Sequence, residues 1–165
     1  MIKKVAFLGL GVMGYPMAGW LSRNNYEVTV YNRTRAVAER WCDQYSGQIA
    51  QAPNKAVVDA DIVFLCVGND RDVREVVLAE QGVLAGIRPG AILVDHTTTS
   101  AELAKQLAVA ADAKGCSFID APVSGGQQGA DSGQLTVMCG GNSEDFARVE
   151  AVIASYAKAV QLLGP

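Results

Sequence analysis

The segment Gly9-Leu10-Gly11-Val12-Met13-Gly14 constrains this chain more than any other. It follows the apolar run Val5-Ala6-Phe7-Leu8. Met13, Met17, Trp20 and Leu21 then recur at helical spacing. A buried strand that breaks into glycines and resumes as a helix is the opening of a βαβ unit. Gly9 permits the tight turn, Gly11 lets the backbone approach a pyrophosphate, and Gly14 lets helix and strand pack closely. The helix start offers free N–H groups and partial positive charge to phosphate. Leu10, Val12 and Met13 complete the expected cradle. Met13 reads first as a packing residue whose backbone N–H can face phosphate. The expected ligand is a dinucleotide.

The alternation continues along the chain. Strands are expected at 3–8, 26–31, 48–50, 61–67, 91–94, 116–119, 135–139 and 160–163. Helices are expected at 13–24, 34–45, 53–59, 70–78, 100–114 and 144–156, with Thr34 and Ser100 at helix starts. A glycine-rich loop is expected before residue 135. This pattern predicts an α/β, Rossmann-type, doubly wound and mostly parallel sheet, with helices on both faces and extra strands near the C-terminus. In such sheets ligands bind beyond the carboxyl ends of the strands, where strand order switches. The 165 residues fit one domain spanning 1–165.

The formal net charge is −3 with no basic stripe, which argues against nucleic acid as a partner. No apolar run approaches the ~18 residues of a membrane helix. Lys3 and Lys4 precede an apolar run too short for a secretion signal. Cys42, Cys66, Cys116 and Cys139 lie far apart without CxxC spacing. They read as buried thiols of a cytoplasmic protein, not as disulfides or metal ligands.

The end of the second strand reads Tyr31-Asn32-Arg33-Thr34. NAD-selective units place a carboxylate there to hold the ribose hydroxyls. Here Arg33 can pair with a phosphate and stack on adenine, and Asn32 and Thr34 can add neutral hydrogen bonds. The expectation is NADP in preference to NAD. A solvated arginine beside a site that takes either cofactor is the alternative.

Residues 9–18, GLGVMGYPMA, resemble the opening of the β-hydroxyacid dehydrogenases, whose members include 3-hydroxyisobutyrate dehydrogenase, semialdehyde reductases and, more distantly, 6-phosphogluconate dehydrogenase. Asp120-Ala121-Pro122-Val123-Ser124-Gly125-Gly126 resembles the family's substrate-binding signature, and residues 133–141 are similar to the segment after it. The resemblance implies that Ser124, Gly125 and Gly126 hold the carboxylate or hydroxyl of a small acid. Backbone N–H groups among small residues suit that role. It also implies that Val67 and Asn69 pass the nicotinamide ribose, with helix capping as the plain reading of Asn69. Asp95-His96-Thr97-Thr98-Thr99 is similar to the family's Asp-x-Ser-Thr segment, which places Thr98 at the nicotinamide. His96 falls at that segment's variable position.

The expected activity is hydride transfer between NADP(H) and a small hydroxy acid or its semialdehyde. In the family the proton donor is a lysine at the start of a helical second domain, which also carries the main subunit interface. That lysine would lie beyond Pro165. No catalytic residue is therefore expected in this chain, which reads as the cofactor-binding N-terminal domain of a longer homo-oligomeric enzyme. Gln127-Gln128-Gly129-Ala130 is closer to phosphogluconate-type members than to hydroxyisobutyrate enzymes. A non-catalytic nucleotide-binding or interaction module is the alternative in a different class.

Overall fold

The computed structural model describes residues 2–165. The chain runs β1 (Lys4–Leu8), α1 (Gly14–Arg23), β2 (Glu27–Tyr31), α2 (Arg35–Gln44), β3 (Gln48–Ile49), α3 (Pro53–Ala56) and β4 (Ile62–Leu65). It continues through α4 (Asp70–Leu78), α5 (Val83–Gly86), β5 (Ile92–Asp95), α6 (Ala101–Ala113) and β6 (Ser117–Asp120). The last elements are β7 (Val123–Ser124), α7 (Gly126–Ser132), β8 (Leu135–Gly140), α8 (Ser143–Ile153) and β9 (Ala157–Gly164).

Six strands pair in parallel in the order β3-β2-β1-β4-β5-β6. The expected doubly wound sheet is present. β8 adds to β6 antiparallel, β7 pairs with β8, and β9 lies parallel to β8 as the final extension. Period-2 side-chain alternation sorts the strand residues into two cores. Val5, Phe7, Ile62, Phe64, Ile92 and Val94 pack beneath Met17, Leu21, Trp41 and Ile153 on one face. Ala6, Leu8, Val63, Leu65 and Leu93 pack beneath Val73, Val77, Leu103 and Leu107 on the other. Strands covered on both faces must be apolar throughout, which is why β4 reads Ile-Val-Phe-Leu.

Four local features differ from what the sequence leads one to expect. The glycine-rich stretch after β6 is ordered as β7 and α7. Trp20 Nε1–H donates to the Ala130 carbonyl at 3.1 Å, and this docks α7 on α1. The short helix α5 was not expected, because four residues show no periodicity. Thr34 stands at the start of α2, but its side chain makes no capping bond. Ser100 does cap α6, accepting from Leu103 N–H at 3.1 Å. All four cysteines are free; Cys116 and Cys139 are buried, while Cys42 and Cys66 are only half-buried. Among the described residues no helix is long and apolar enough to cross a membrane.

Candidate functional site

β1 connects toward β2 on one side, while β4 lies against β1 on the other. The loops leaving β1 and β4 therefore flank the point where strand order switches, and a crevice forms between them. Its geometry begins with the glycines. Gly9 has φ +100°, and a Cβ there would stand 2.0 Å from the Cys66 carbonyl oxygen. A Cβ on Gly14 would stand 1.9 Å from the Gly9 carbonyl oxygen. The protein's own backbone thus forbids side chains at both positions. Gly11 differs: a Cβ there would meet no protein atom within 4 Å. The space above Gly11 is open to the crevice.

The crevice is a cleft of about 570 Å³. Of the residues expected to hold a cofactor, Gly9, Gly11, Val12, Met13, Gly14, Asn32, Arg33 and Val67 line it. Leu10, Thr34, Asn69 and Thr98 do not. Leu10 is buried in the core, and its N–H donates to Asn32 Oδ1 at 2.8 Å. Asn32 Nδ2 donates in turn to the Thr34 carbonyl at 3.0 Å. The Asn32 amide therefore ties the end of β2 to the glycine loop. Asn69 caps α4, its Oδ1 accepting from Asp72 N–H at 3.0 Å. Beside Gly68 of the loop after β4, the wall facing the glycine loop is made by residues with no sequence signal: Asp72, Glu75, Val76, Ala79 and Gln81. Several of these residues lie on α4. Only their position on the cleft-facing side of a correctly placed helix could have pointed to them.

Behind the cleft the ends of β4 and β5 are locked together. The Thr97 hydroxyl accepts from Val67 N–H at 3.0 Å, and Thr97 N–H donates to Asp95 Oδ1 at 2.9 Å. Asp95 is buried, and its Oδ2 has no partner among the described residues. Burial pushes its carboxyl up to about 7, against the hydrogen bonds from Thr97 that favour the charged form. Cys66, on the cleft wall, is pushed up to about 12 by burial and by the nearby Asp95. Its thiol stays protonated and is a poor nucleophile.

His96 lies in the core with both ring nitrogens taken by protein partners. Nδ1 is 2.7 Å from the Ala121 carbonyl oxygen and Nε2 is 2.6 Å from the Tyr156 hydroxyl. A carbonyl can only accept, so Nδ1 carries the proton and Tyr156 donates to Nε2. Burial lowers His96 to about 4, which keeps the ring neutral.

Ser124, Gly125 and Gly126 are exposed and lie outside the 570 Å³ cleft. Gly125 (φ +126°) and Gly126 (φ +61°) both need left-handed backbone to turn from β7 into α7. Because α7 packs on α1, this turn is carried by the same helix that begins at the glycine loop.

The sequence matches the family model of the NAD binding domain of 6-phosphogluconate dehydrogenase over residues 4–164. An uncharacterized oxidoreductase of Shewanella frigidimarina is 54% identical over 98% of this chain and 56% of its own length. A 3-hydroxyisobutyrate dehydrogenase of Mycobacterium tuberculosis, solved with L-serine, superposes with a TM-score of 0.92 at 30% identity, over 99% of this chain and 55% of that one. A structure described as Psf3 in complex with NADP+ and 2-OPP gives the same TM-score of 0.92 at 29% identity, over 97% of this chain and 56% of that one. The chain spans about half the length of these relatives.

Proposed function

Because this chain belongs to the family of the NAD binding domain of 6-phosphogluconate dehydrogenase, we propose that it is the cofactor-holding part of an oxidoreductase acting on a small hydroxy acid or its semialdehyde, with NADP preferred over NAD. The observation that carries the reading is the cleft at the switch point, which unites the glycine loop, the end of β2 and Val67. Gly11, which no protein contact requires to be glycine, fits a ligand pressed against the loop.

When bound, the nicotinamide supplies the hydride chemistry. The residues of this chain bind and orient. Gly11, Val12, Met13 and Gly14 present the start of α1 to the pyrophosphate. Arg33, three-quarters exposed and loosely paired with Asp72, is assigned to a 2′-phosphate, and the residues that end β2 include no carboxylate to select a bare ribose. Val67 is held in place by Thr97 and passes the nicotinamide half. Ser124, Gly125 and Gly126 are assigned to the substrate's carboxylate, supported by the family signature and by their exposed backbone. The NADP+ in one structural neighbour and the L-serine in another are consistent with these two assignments.

Equilibrium binding of NADP+ and NAD+ to the parent and to Arg33→Ala tests the cofactor assignment. The expected outcome is NADP+ affinity lowered about tenfold or more with NAD+ nearly unchanged, the size of one lost charge-assisted phosphate contact. An unchanged NADP+ affinity would sink it.

A further inference from the structure

Arg33 does not stand alone at the cleft. Its Nη1 lies 3.6 Å from Oδ1 of Asp72, which sits in the first turn of α4 on the cleft wall. Asp72 is the less exposed member of this pair. Its N–H is capped by Asn69, and its carboxylate lies over Gly68, where a Cβ would stand 2.6 Å from Oδ2. Its side chain is 24% exposed, against 75% for Arg33. The guanidinium is therefore the loose partner. The motif that points to a 2′-phosphate asks only for a cation at the end of β2; in this chain the cation comes with a half-buried anion beside it. Glu75, one turn further along α4, lines the same wall but is exposed and more strongly screened.

We propose that Asp72 is a specificity-determining residue that opposes the 2′-phosphate at Arg33 and so holds down the preference for NADP over NAD. The proposal rests on the Arg33 assignment made above. A phosphate that pairs with Arg33 must compete with the Asp72 carboxylate for the same guanidinium, and its own negative charge comes close to that carboxylate. Neither penalty falls on NAD, which offers neutral ribose hydroxyls that a carboxylate can accept from. Like charges a few ångströms apart in a solvent-open cleft, partly screened by salt, weaken binding by roughly fivefold.

The test is equilibrium binding of NADP+ and NAD+ to the 165-residue chain and to Arg33→Ala, Asp72→Asn and Asp72→Glu. Asp72→Asn is expected to bind NADP+ about fivefold tighter with NAD+ changed less than twofold, and the gain shrinks as salt is raised. Asp72→Glu keeps the charge and the parent's NADP+/NAD+ ratio. The ratio is read within one variant, so a partial loss of folded protein from removing a charge at the start of α4 does not move it. If Arg33→Ala weakens NADP+ but Asp72→Asn leaves the ratio unchanged or lowers it, the Asp72 proposal fails and the Arg33 assignment stands. If NADP+ binding ignores Arg33→Ala, the Arg33 assignment fails. The Asp72 proposal, which needs the phosphate at Arg33, then fails with it.

Discussion

Gly14 and Gly11 stand three residues apart in one loop and answer to different demands. The space at Gly14 is closed by the Gly9 carbonyl, so an added methyl must displace backbone. Gly14→Ala is expected to destabilise the fold by about 3 kcal/mol, the upper range of overpacking in a rigid site. Gly11 faces open space. Gly11→Ala is expected to change stability by less than about 0.5 kcal/mol while weakening dinucleotide binding about tenfold or more. Urea unfolding and cofactor titration on the two variants separate these effects. Equal losses of stability would mean that Gly11 is a turn residue and nothing more. The motif spacing was legible because each glycine answers a local steric need. The occupation of the Leu10 N–H by Asn32 was not, since that bond joins residues 22 positions apart.

At the scale of elements, α4 shows how one residue type can carry two meanings. Asn69 falls in the loop that the family resemblance aims at the nicotinamide, yet its side chain is used as the cap of α4. Asn69→Ala is therefore expected to cost about 1 kcal/mol of stability, the usual size of a lost N-cap, with Asn69→Ser retaining most of it. Chemical denaturation of both variants is the check; a serine variant as unstable as the alanine variant would show that capping is not the role. The helix itself was readable from Asn69 and from the buried Val73 and Val77. Its contribution to the cleft was not. Asp72, Glu75, Val76 and Ala79 form a wall only because the β4–α4 connection sets the helix against the glycine loop. The same limit applies to α7. Six of residues 124–133 are Gly or Ser and carry no periodic apolar face, so only docking on Trp20 marks this stretch as an ordered helix.

For the whole molecule, two adjacent buried groups pull its pH dependence in opposite directions. Asp95 is raised to about 7 from an ordinary 3.8, so the folded state holds that proton more tightly and stability falls as pH rises between those values. His96 is lowered to about 4 from 6.5, so the unfolded chain binds that proton more tightly and stability rises over the same window. Asp95→Asn removes the falling component. Denaturant unfolding from pH 4 to 8 should show the variant gaining on the parent steadily as pH rises toward 7, with the difference flat above about 8. Parallel curves for the two proteins would contradict the raised Asp95 value.

The sequence by itself determined the α/β class, the order of the main elements, the glycine loop and the missing carboxylate after β2. Each of these rests on neighbours in sequence: steric rules at a turn, a period of 2 or 3.6, or the residue that ends a strand. Only the tertiary structure decided what faces that loop. The pairing of β1 with β4 brings α4 over the glycines, places the Asp72 carboxylate beside Arg33, and closes the Asp95–Thr97–Val67 chain behind the cleft. The Asp72–Arg33 and Val67–Thr97 contacts join residues 30 or more positions apart, and no local propensity encodes them. They arise because burying two apolar faces of one sheet leaves few compatible ways to lay the helices down.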